Sequence, residues 1–163
     1  MKYFILLLLT ALLAGCYARV PEKTGLEGKR IPHYTVLLPD SVSYYNTEHI
    51  KNGRPAVFVY FGTYCVFSRA QAQEIADYMD KMKGIDFYFV TTAEFKDMKK
   101  FYEEYKLDKF PNVKIGQDYT HFFSDYYEAS GVPFIAIYGK DGKMIAAFEG
   151  KVSPRQIRNC ALG

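Results

Sequence analysis

The sequence predicts an α/β domain in which a mixed central sheet, parallel in its first half, carries helices on both faces. The first observation is a continuous apolar segment at 56–61, followed by a helical pattern and a second strand pattern at 85–91. Strand–helix–strand order places the two strands in one sheet as parallel strands. The second observation is a pair of strand patterns, 134–138 and 144–148, joined by a turn with an Asp-Gly pair at 141–142, which is typical of an antiparallel hairpin.

The segment 56–61 and the helix after it are the most regular elements of the pattern. Residues 56–61 read AVFVYF, and β-branched and aromatic side chains on both faces are typical of a strand at the centre of a sheet. Apolar residues then recur at helical spacing up to Gly84, which is expected to end the helix. They are Ala72, Ile75, Ala76, Met79 and Met82. A first strand is expected at 33–38 (HYTVLL).

Three further helices are expected in the second half of the chain. Residues 91–94 (TTAE) form a capping-box pattern that predicts a helix through Tyr105. The pattern from Asp118 to Ala129 predicts another helix, ended by Gly131. Ser153-Pro154 is typical of the N-cap and the first position of a last helix.

The N-terminus has the pattern of a secretory signal peptide. Lys2 supplies a positive charge, residues 3–14 are apolar, and Leu13-Ala14-Gly15-Cys16 resembles the bacterial lipobox, in which the cysteine is acylated and becomes the first mature residue. An ordinary signal peptide with a chance cysteine is the alternative. Several acyl chains on one residue anchor a protein stably. We therefore expect a lipoprotein signal peptide at 1–15 and a domain held on a membrane of the bacterial cell envelope, outside the cytoplasm, in the periplasm or at the surface.

The segment 16–30 is expected to consist of the lipidated Cys16 and a flexible tether. It contains Pro21, Gly25 and Gly28 among charged residues and has no apolar period. No internal repeat or second linker follows. Residues 31–163 are therefore expected to form one domain.

The composition excludes several classes of partner. The chain carries 21 basic and 18 acidic residues, a formal net charge of +3, without a basic block, so nucleic acid is not an expected partner. Apart from Cys16, the cysteines are Cys65 and Cys160. Two thiols are too few for a disulfide scaffold, and no cysteine–histidine spacing matches a zinc site. Neither a metal nor another cofactor is expected.

Cys65 is the candidate catalytic residue, because it lies where the strand 56–61 gives way to a helix. Unpaired backbone N–H groups and the helix dipole at such a position stabilise a thiolate and lower the pKa of the thiol. Outside the cytoplasm, a thiolate of this kind is a nucleophile for disulfides. The alternative that the residues leave open is an inert structural cysteine.

Residues 61–69 (FGTYCVFSR) resemble the active site of the thioredoxin superfamily, aromatic-x-x-aromatic-Cys-x-x-Cys-Arg, particularly in its membrane-anchored, thiol-reducing TlpA-like branch. Residues 131–134 (GVPF) are similar to the cis-proline loop of that family. Asp141-Gly142-Lys143 and Gly150 are similar to its hairpin turn and final glycine. The resemblance implies a thioredoxin-like fold over about residues 31–158.

The same resemblance implies the substrate and the residues that bind it. The substrate would be an extracytoplasmic protein thiol or disulfide. Tyr64, Val132 and Pro133 would contact it, with the backbone at Val132 as the docking edge for an extended peptide.

Three residues depart from the family pattern. Ser68 replaces the second cysteine, which in the family attacks the mixed disulfide and releases the substrate reduced. A serine alkoxide does not form near neutral pH, so Ser68 can only donate a hydrogen bond to Cys65, one helical turn earlier. Tyr64 replaces a tryptophan, and Val59 replaces an aspartate that serves as a proton acceptor.

The expected function is therefore a monothiol reductase or isomerase with Cys65 as the nucleophile and Ser68 as its hydrogen-bond partner. Cys160 is expected to be a packed core thiol, because in the family topology the last helix runs away from the active site and takes Cys160 out of disulfide range. The alternative function is a redox-inactive module that keeps the peptide groove and uses no chemistry.

Overall fold

The computed structural model describes residues 18–163, so the predicted signal peptide and Cys16 lie outside the described residues. In the described part of the chain, the strands and α-helices follow in the order β1 (Thr35–Leu37), β2 (Tyr44–Asn46), β3 (Ala56–Tyr60), α1 (Val66–Tyr78), β4 (Asp86–Thr91), α2 (Phe95–Glu104), β5 (Val113–Gln117), α3 (Phe122–Tyr127), β6 (Phe134–Tyr138), β7 (Met144–Glu149) and α4 (Pro154–Leu162). Short 3-10 turns follow β2, α1 and α2.

The strands form one mixed sheet in the order β2-β1-β5-β4-β3-β6-β7. Strands β3, β4 and β5 are parallel, whereas the outer strands are antiparallel to their neighbours. The predicted mixed sheet is therefore confirmed. The three parallel strands end together at Tyr60, Thr91 and Gln117, and we call this side of the sheet the carboxyl edge.

The side chains of β3 alternate between two cores, one on each face of the sheet. Val57 and Val59 belong to an apolar cluster that also contains buried residues of α1, α2 and α4. Phe58 and Tyr60 belong to a strongly aromatic cluster with Phe123 of α3. Helices therefore cover both faces of the sheet, as the sequence predicts.

The sequence pattern does not indicate β2 or β5. The five residues of β5 read VKIGQ, in which Lys114 is exposed and Gly116 has no side chain, so the local preference for a strand is weak. Pairing with β4 and β1 stabilises the segment as a strand despite this weak local preference. Two strands, β5 and β4, consequently lie between β1 and β3 in the sheet.

The predicted capping box at 91–94 does not form. Thr91 is the last residue of β4, and its hydroxyl oxygen accepts a hydrogen bond from the N–H of Ala93 (3.1 Å). The helix α2 begins at Phe95, with Glu94 as its N-cap residue. Thr91 therefore belongs to strand β4, whereas the sequence pattern predicts it as part of a helix cap.

The helix predicted from Asp118 begins later because Asp118 shapes the turn before it. Its buried carboxylate accepts hydrogen bonds from the N–H groups of Thr120 (3.2 Å) and Phe123 (2.7 Å). These bonds hold residues 118–121 outside the helix. The helix α3 therefore begins at Phe122.

Residues 19–30, expected to be a flexible tether, are instead fixed along β7 by backbone hydrogen bonds. The N–H of Glu22 donates to the carbonyl oxygen of Ala147 (2.8 Å). The N–H of Gly28 donates to the carbonyl oxygen of Met144 (2.9 Å). The ordered domain therefore includes this segment.

Gly116 lies where β5 and β1 approach each other too closely for a larger residue. A methyl group at this position would lie 2.6 Å from the Cβ of Val36 and 3.3 Å from the carbonyl oxygen of Leu37. We expect Gly116→Ala to lower the free energy of unfolding by about 1–3 kcal/mol, the usual cost of overpacking. Denaturant unfolding measures the change.

Gly84→Ala is the matched control, because a methyl group at Gly84 meets no atom within 4 Å. Its effect should stay within about 0.5 kcal/mol. Val36→Ala removes the Cγ2 atom of Val36, which is the atom nearest to the new methyl group, and keeps the Cβ, so the double variant should recover part of the overpacking cost and be more stable than the two single effects predict. Strict additivity of the two changes would contradict the contact.

Candidate active site

Cys65 is positioned by the turn that joins β3 to α1. Its N–H donates to the carbonyl oxygen of Gly62 (3.2 Å), and its carbonyl oxygen accepts from the N–H of Arg69 (2.9 Å). It is the N-cap residue of α1, with extended backbone angles (φ −74°, ψ 120°). The sulfur therefore lies at the carboxyl edge of the sheet, at the positive end of the helix dipole.

The loop at Val132 and Pro133 lies against Cys65. The peptide bond between these two residues is cis, as the family resemblance implies. Pairing of Phe134 with Tyr60 places the start of β6, and the loop before it, at the carboxyl edge. The Cys65 thiol donates a hydrogen bond to the carbonyl oxygen of Val132 (3.3 Å). The fold thus brings together two parts of the chain that are 67 residues apart.

Ser68 lies one helical turn after Cys65 and has only 1% of its surface exposed. Its hydroxyl oxygen accepts a hydrogen bond from the N–H of Gly62 (3.2 Å). Hydrogen bonding by its backbone N–H and its hydroxyl is among the causes that lower the pKa of the Cys65 thiol. Ser68 therefore favours the thiolate, and its catalytic role stays a prediction.

Two opposing effects set the pKa of Cys65. Partial burial of the sulfur raises the pKa. Hydrogen bonds from the backbone N–H and the hydroxyl of Ser68, and from the N–H of Phe67, favour the thiolate and together outweigh burial, so the pKa lies below its ordinary value. More of the thiol is then present near neutral pH as thiolate, the form that attacks disulfides.

Large exposed side chains surround Cys65. Tyr64, Val66 and Phe67, which we call the apolar rim, are 79%, 75% and 64% exposed. Of these three residues, the sequence indicates only Tyr64 as a site residue, because the start of a helix pattern does not tell which side chains face solvent. Large apolar side chains exposed at neighbouring positions beside a reactive group suit a docking surface.

Gln71 is a buried polar residue that the sequence pattern does not single out. Its side-chain N–H donates to the carbonyl oxygen of Val152 (2.9 Å), and its Oε1 accepts from the N–H of Val152 (2.7 Å). The two bonds connect α1 to the segment between β7 and α4. The signal in the sequence is an amide beside Ala72, on the helix side that is expected to face the core.

Cys160 and Val59 both belong to the apolar core on the α1 side of the sheet. Cys160 is partly buried and packs against that cluster, and burial raises the pKa of its thiol. Cys65 and Cys160 are both free thiols. Val59 is 1% exposed. In the family this position holds a proton acceptor, whereas here it holds an apolar side chain that packs in the core.

The described residues offer no site for a metal ion. Within residues 18–163, no group of three or more histidine, cysteine, aspartate or glutamate side chains could hold one. His33, His49 and His121 are exposed and lie in different parts of the fold.

Comparison with known proteins agrees with this geometry. A family model described as a thioredoxin-like domain matches residues 47–161, more than half of the chain. Among curated proteins, none matches the chain with significant sequence similarity.

Solved structures share the fold at low sequence identity. A secreted disulfide oxidoreductase of Mycobacterium tuberculosis, homologous to E. coli DsbE, is 18% identical, with a TM-score of 0.66 over 78% of this chain and 92% of that one. The thioredoxin domain of a thiol-disulfide oxidoreductase from Bacteroides vulgatus is 21% identical, with a TM-score of 0.64 over 82% and 93%. StoA from Bacillus subtilis is 10% identical, with a TM-score of 0.62 over 79% and 96%. The chain has the thioredoxin-like fold and belongs to the thioredoxin-like domain family.

Proposed function

We propose that this protein carries out thiol–disulfide exchange outside the cytoplasm, with Cys65 as its single redox-active thiol. The observation that carries the proposal is the environment of the Cys65 sulfur, which is partly exposed at the start of α1 and receives hydrogen bonds that lower its pKa. Two of the structures with the same fold are described as disulfide oxidoreductases, one of them secreted, which supports the same reaction and compartment here.

The exchange step uses one thiol of this protein and both sulfur atoms of the client disulfide. The Cys65 thiolate attacks one client sulfur, a bond forms between them, the client disulfide breaks, and the second client sulfur leaves as a thiolate. Ser68 stabilises the thiolate before the attack. Ser68 cannot attack the mixed disulfide in turn, because its hydroxyl is not ionised near neutral pH.

A second thiol must therefore resolve the mixed disulfide. If the client's own thiol attacks, the client disulfide is isomerised. If an external thiol attacks the Cys65 sulfur, the client leaves as a reduced thiolate and Cys65 forms a new mixed disulfide with that thiol. A second external thiol then attacks this bond, which forms the disulfide of the external thiol and frees Cys65. Both outcomes return Cys65 as a free thiolate.

We expect Cys65 to react with an alkylating reagent at lower pH than a free cysteine, whose pKa is about 8.5. Because the pKa of Cys65 is lowered and that of Cys160 is raised, Cys65 alone should react in the pH range between the two values. A short pulse of iodoacetamide at successive pH values, followed by peptide mass spectrometry, measures both thiols. Alkylation of Cys65 that rises only above the free-cysteine pKa would contradict the activated thiol.

Matched variants test the lowered pKa of Cys65 and the exchange step separately. Ser68→Ala removes the hydroxyl that donates to Cys65 but keeps the backbone donors, so the Cys65 profile should move to higher pH while that of Cys160 stays unchanged. A model peptide disulfide should form a mixed disulfide with the wild type and with Cys160→Ser. It should form none with Cys65→Ser, and trapping at any other residue would refute the assigned nucleophile.

The proposed location outside the cytoplasm depends on Cys16. Within residues 18–163, no helix is long and apolar enough to cross a membrane. We expect Cys16→Ser to release the protein from membranes or to leave an uncleaved precursor, because the acceptor of the lipid is lost. Cell fractionation with immunoblotting measures the distribution. A wild-type protein found soluble with residues 1–15 attached would contradict the lipid anchor.

The apolar rim supports a second candidate function, a redox-inactive module that binds an extended peptide. Its three exposed side chains could bind a partner without any chemistry. Such a module keeps its affinity for the partner in the Cys65→Ser variant and in the presence of a reductant. An exchange protein loses the covalent complex under both conditions.

A further inference from the structure

Arg19 fixes the point at which the chain enters the domain. Its backbone N–H donates to Oε1 of Gln156 (3.0 Å), and Nε2 of Gln156 donates to its carbonyl oxygen (2.6 Å). Its guanidinium donates to the carbonyl oxygen of Lys151 (3.2 Å). Three hydrogen bonds therefore hold this one residue against the first turn of α4 and the segment before it.

The end of β7, where Arg19 is held, lies on the carboxyl edge of the sheet. In the register of the sheet, Tyr60 pairs with Phe134 and Phe134 pairs with Glu149, so β3 and β7 reach the same edge. The next residue, Gly150, donates its N–H to the carbonyl oxygen of Pro133 (2.7 Å). Only β6 separates β3 from β7, which places their axes about 10 Å apart.

The chain runs away from this edge after Arg19. The N–H of Glu22 pairs with Ala147, and the N–H of Gly28 pairs with Met144, at the far end of β7. Arg19 therefore lies on the edge that carries Cys65.

The predicted lipid on Cys16 would be attached too close to Arg19 to reach the opposite edge of the sheet. Cys16 precedes Arg19 by three residues, which span at most about 11 Å when fully extended. The opposite edge, near Lys109, lies at least one strand length away, about 17 Å for the five residues of β3. A membrane that holds the lipid therefore lies next to the carboxyl edge.

The apolar rim lies on this same edge and is well exposed in all three of its members. Tyrosine and other aromatic side chains are stabilised in the headgroup region of a bilayer. Resting on the proposed anchor and exchange chemistry, we propose that the carboxyl edge docks on the anchoring membrane, with the apolar rim at headgroup depth, and that Cys65 exchanges with disulfides held at the membrane surface.

Full-length lipidated protein in phosphatidylcholine vesicles tests the docking. Cys65 is labelled with bimane in a Cys160→Ala background, and its fluorescence is compared in vesicles with and without lipids that carry a nitroxide on the headgroup. The matched control carries the label at the opposite edge, in a Lys109→Cys variant with Cys65→Ala and Cys160→Ala, since Lys109 is exposed. Nitroxides quench on contact, so quenching should be severalfold stronger at position 65 than at position 109.

Equal quenching at the two positions, or stronger quenching at position 109, would overturn the proposal. A Gly-Ser spacer of about twelve residues between Tyr17 and Ala18, with a typical reach of about 19 Å, frees the domain from the surface. Quenching at position 65 should then fall to the level of position 109. Unchanged quenching would show that the short connection to Cys16 does not orient the domain.

The outcome of this test is independent of redox activity, because bimane labelling needs a thiol but no disulfide exchange. A protein that docks but forms no mixed disulfide refutes the proposed function alone. A protein that exchanges disulfides in solution but shows equal quenching refutes the docking alone. A wild-type protein that does not stay with the vesicles refutes both the lipid anchor and the docking. The reactivity of Cys65 is then still tested by alkylation, which does not depend on the membrane.

Discussion

Ser68→Cys is expected to convert a protein whose mixed disulfides must be resolved by another molecule's thiol into one that resolves them itself and reduces disulfides with faster turnover. The new thiol would lie one helical turn from the Cys65 sulfur, in the buried position that the serine hydroxyl occupies now. It can attack the mixed disulfide, form a disulfide with Cys65 and release the client reduced, after which dithiothreitol reduces that bond. Insulin reduction with dithiothreitol should rise roughly 10–100-fold above the wild-type rate.

Ser68→Ala is the matched control, because it removes the hydroxyl without supplying a thiol, and its rate should stay at the wild-type background. The exchange of one small side chain for another should leave the fold intact, which circular dichroism checks. A Ser68→Cys variant that stays at background would mean that more than the second thiol is missing. The apolar Val59 in place of a proton acceptor, or a blocked groove, would then limit the reaction. In that case the redox-inactive binding module would be the better interpretation of the function.

Gln71→Leu is expected to be the most destabilising of the substitutions discussed. Gln71 is 0% exposed and Val152 is 1% exposed. The Gln71 side chain forms hydrogen bonds with both the N–H and the carbonyl oxygen of Val152. Leucine fills a similar volume but leaves that N–H and that carbonyl oxygen buried without partners. The free energy of unfolding should fall by roughly 2–6 kcal/mol, at about 1–3 kcal/mol for each of the two unsatisfied groups. Denaturant unfolding measures the loss.

Gln73→Leu controls for the change of residue type on the same helix. Gln73 is exposed and its side chain donates only to the carboxylate of Asp77 (2.9 Å), so its replacement should change stability by less than about 0.5 kcal/mol. Similar losses from the two substitutions would show that the bonds to Val152 do not stabilise the fold. The Cys65 alkylation profile of the folded Gln71→Leu variant then tests whether the α1 connection also influences the site.

The strands and the hairpin around the active site were predictable from the sequence because their signals are local. The segment 56–61 is continuously apolar, as a strand buried on both faces must be, and the Asp-Gly pair at 141–142 marks the turn between β6 and β7. The position of Cys65 at the start of α1 follows from the same local pattern. Helix starts were less predictable, because Thr91 and Asp118 form hydrogen bonds with their neighbours that compete with a helix cap.

By itself, the sequence determined the order of strands and helices around the site, the single cysteine at the start of a helix and the serine one turn later, since each depends on residues close together in the chain. The tertiary structure alone decided the features that need distant residues to meet. Sheet pairing made a strand of β5, brought Val132 to Cys65 and turned 19–30 from an expected tether into an attached segment. The exposure of the apolar rim also depends on tertiary packing. The periodicity of apolar residues in the sequence indicates that a helix has an apolar and a polar side, but tertiary contacts determine which side chains the rest of the protein covers.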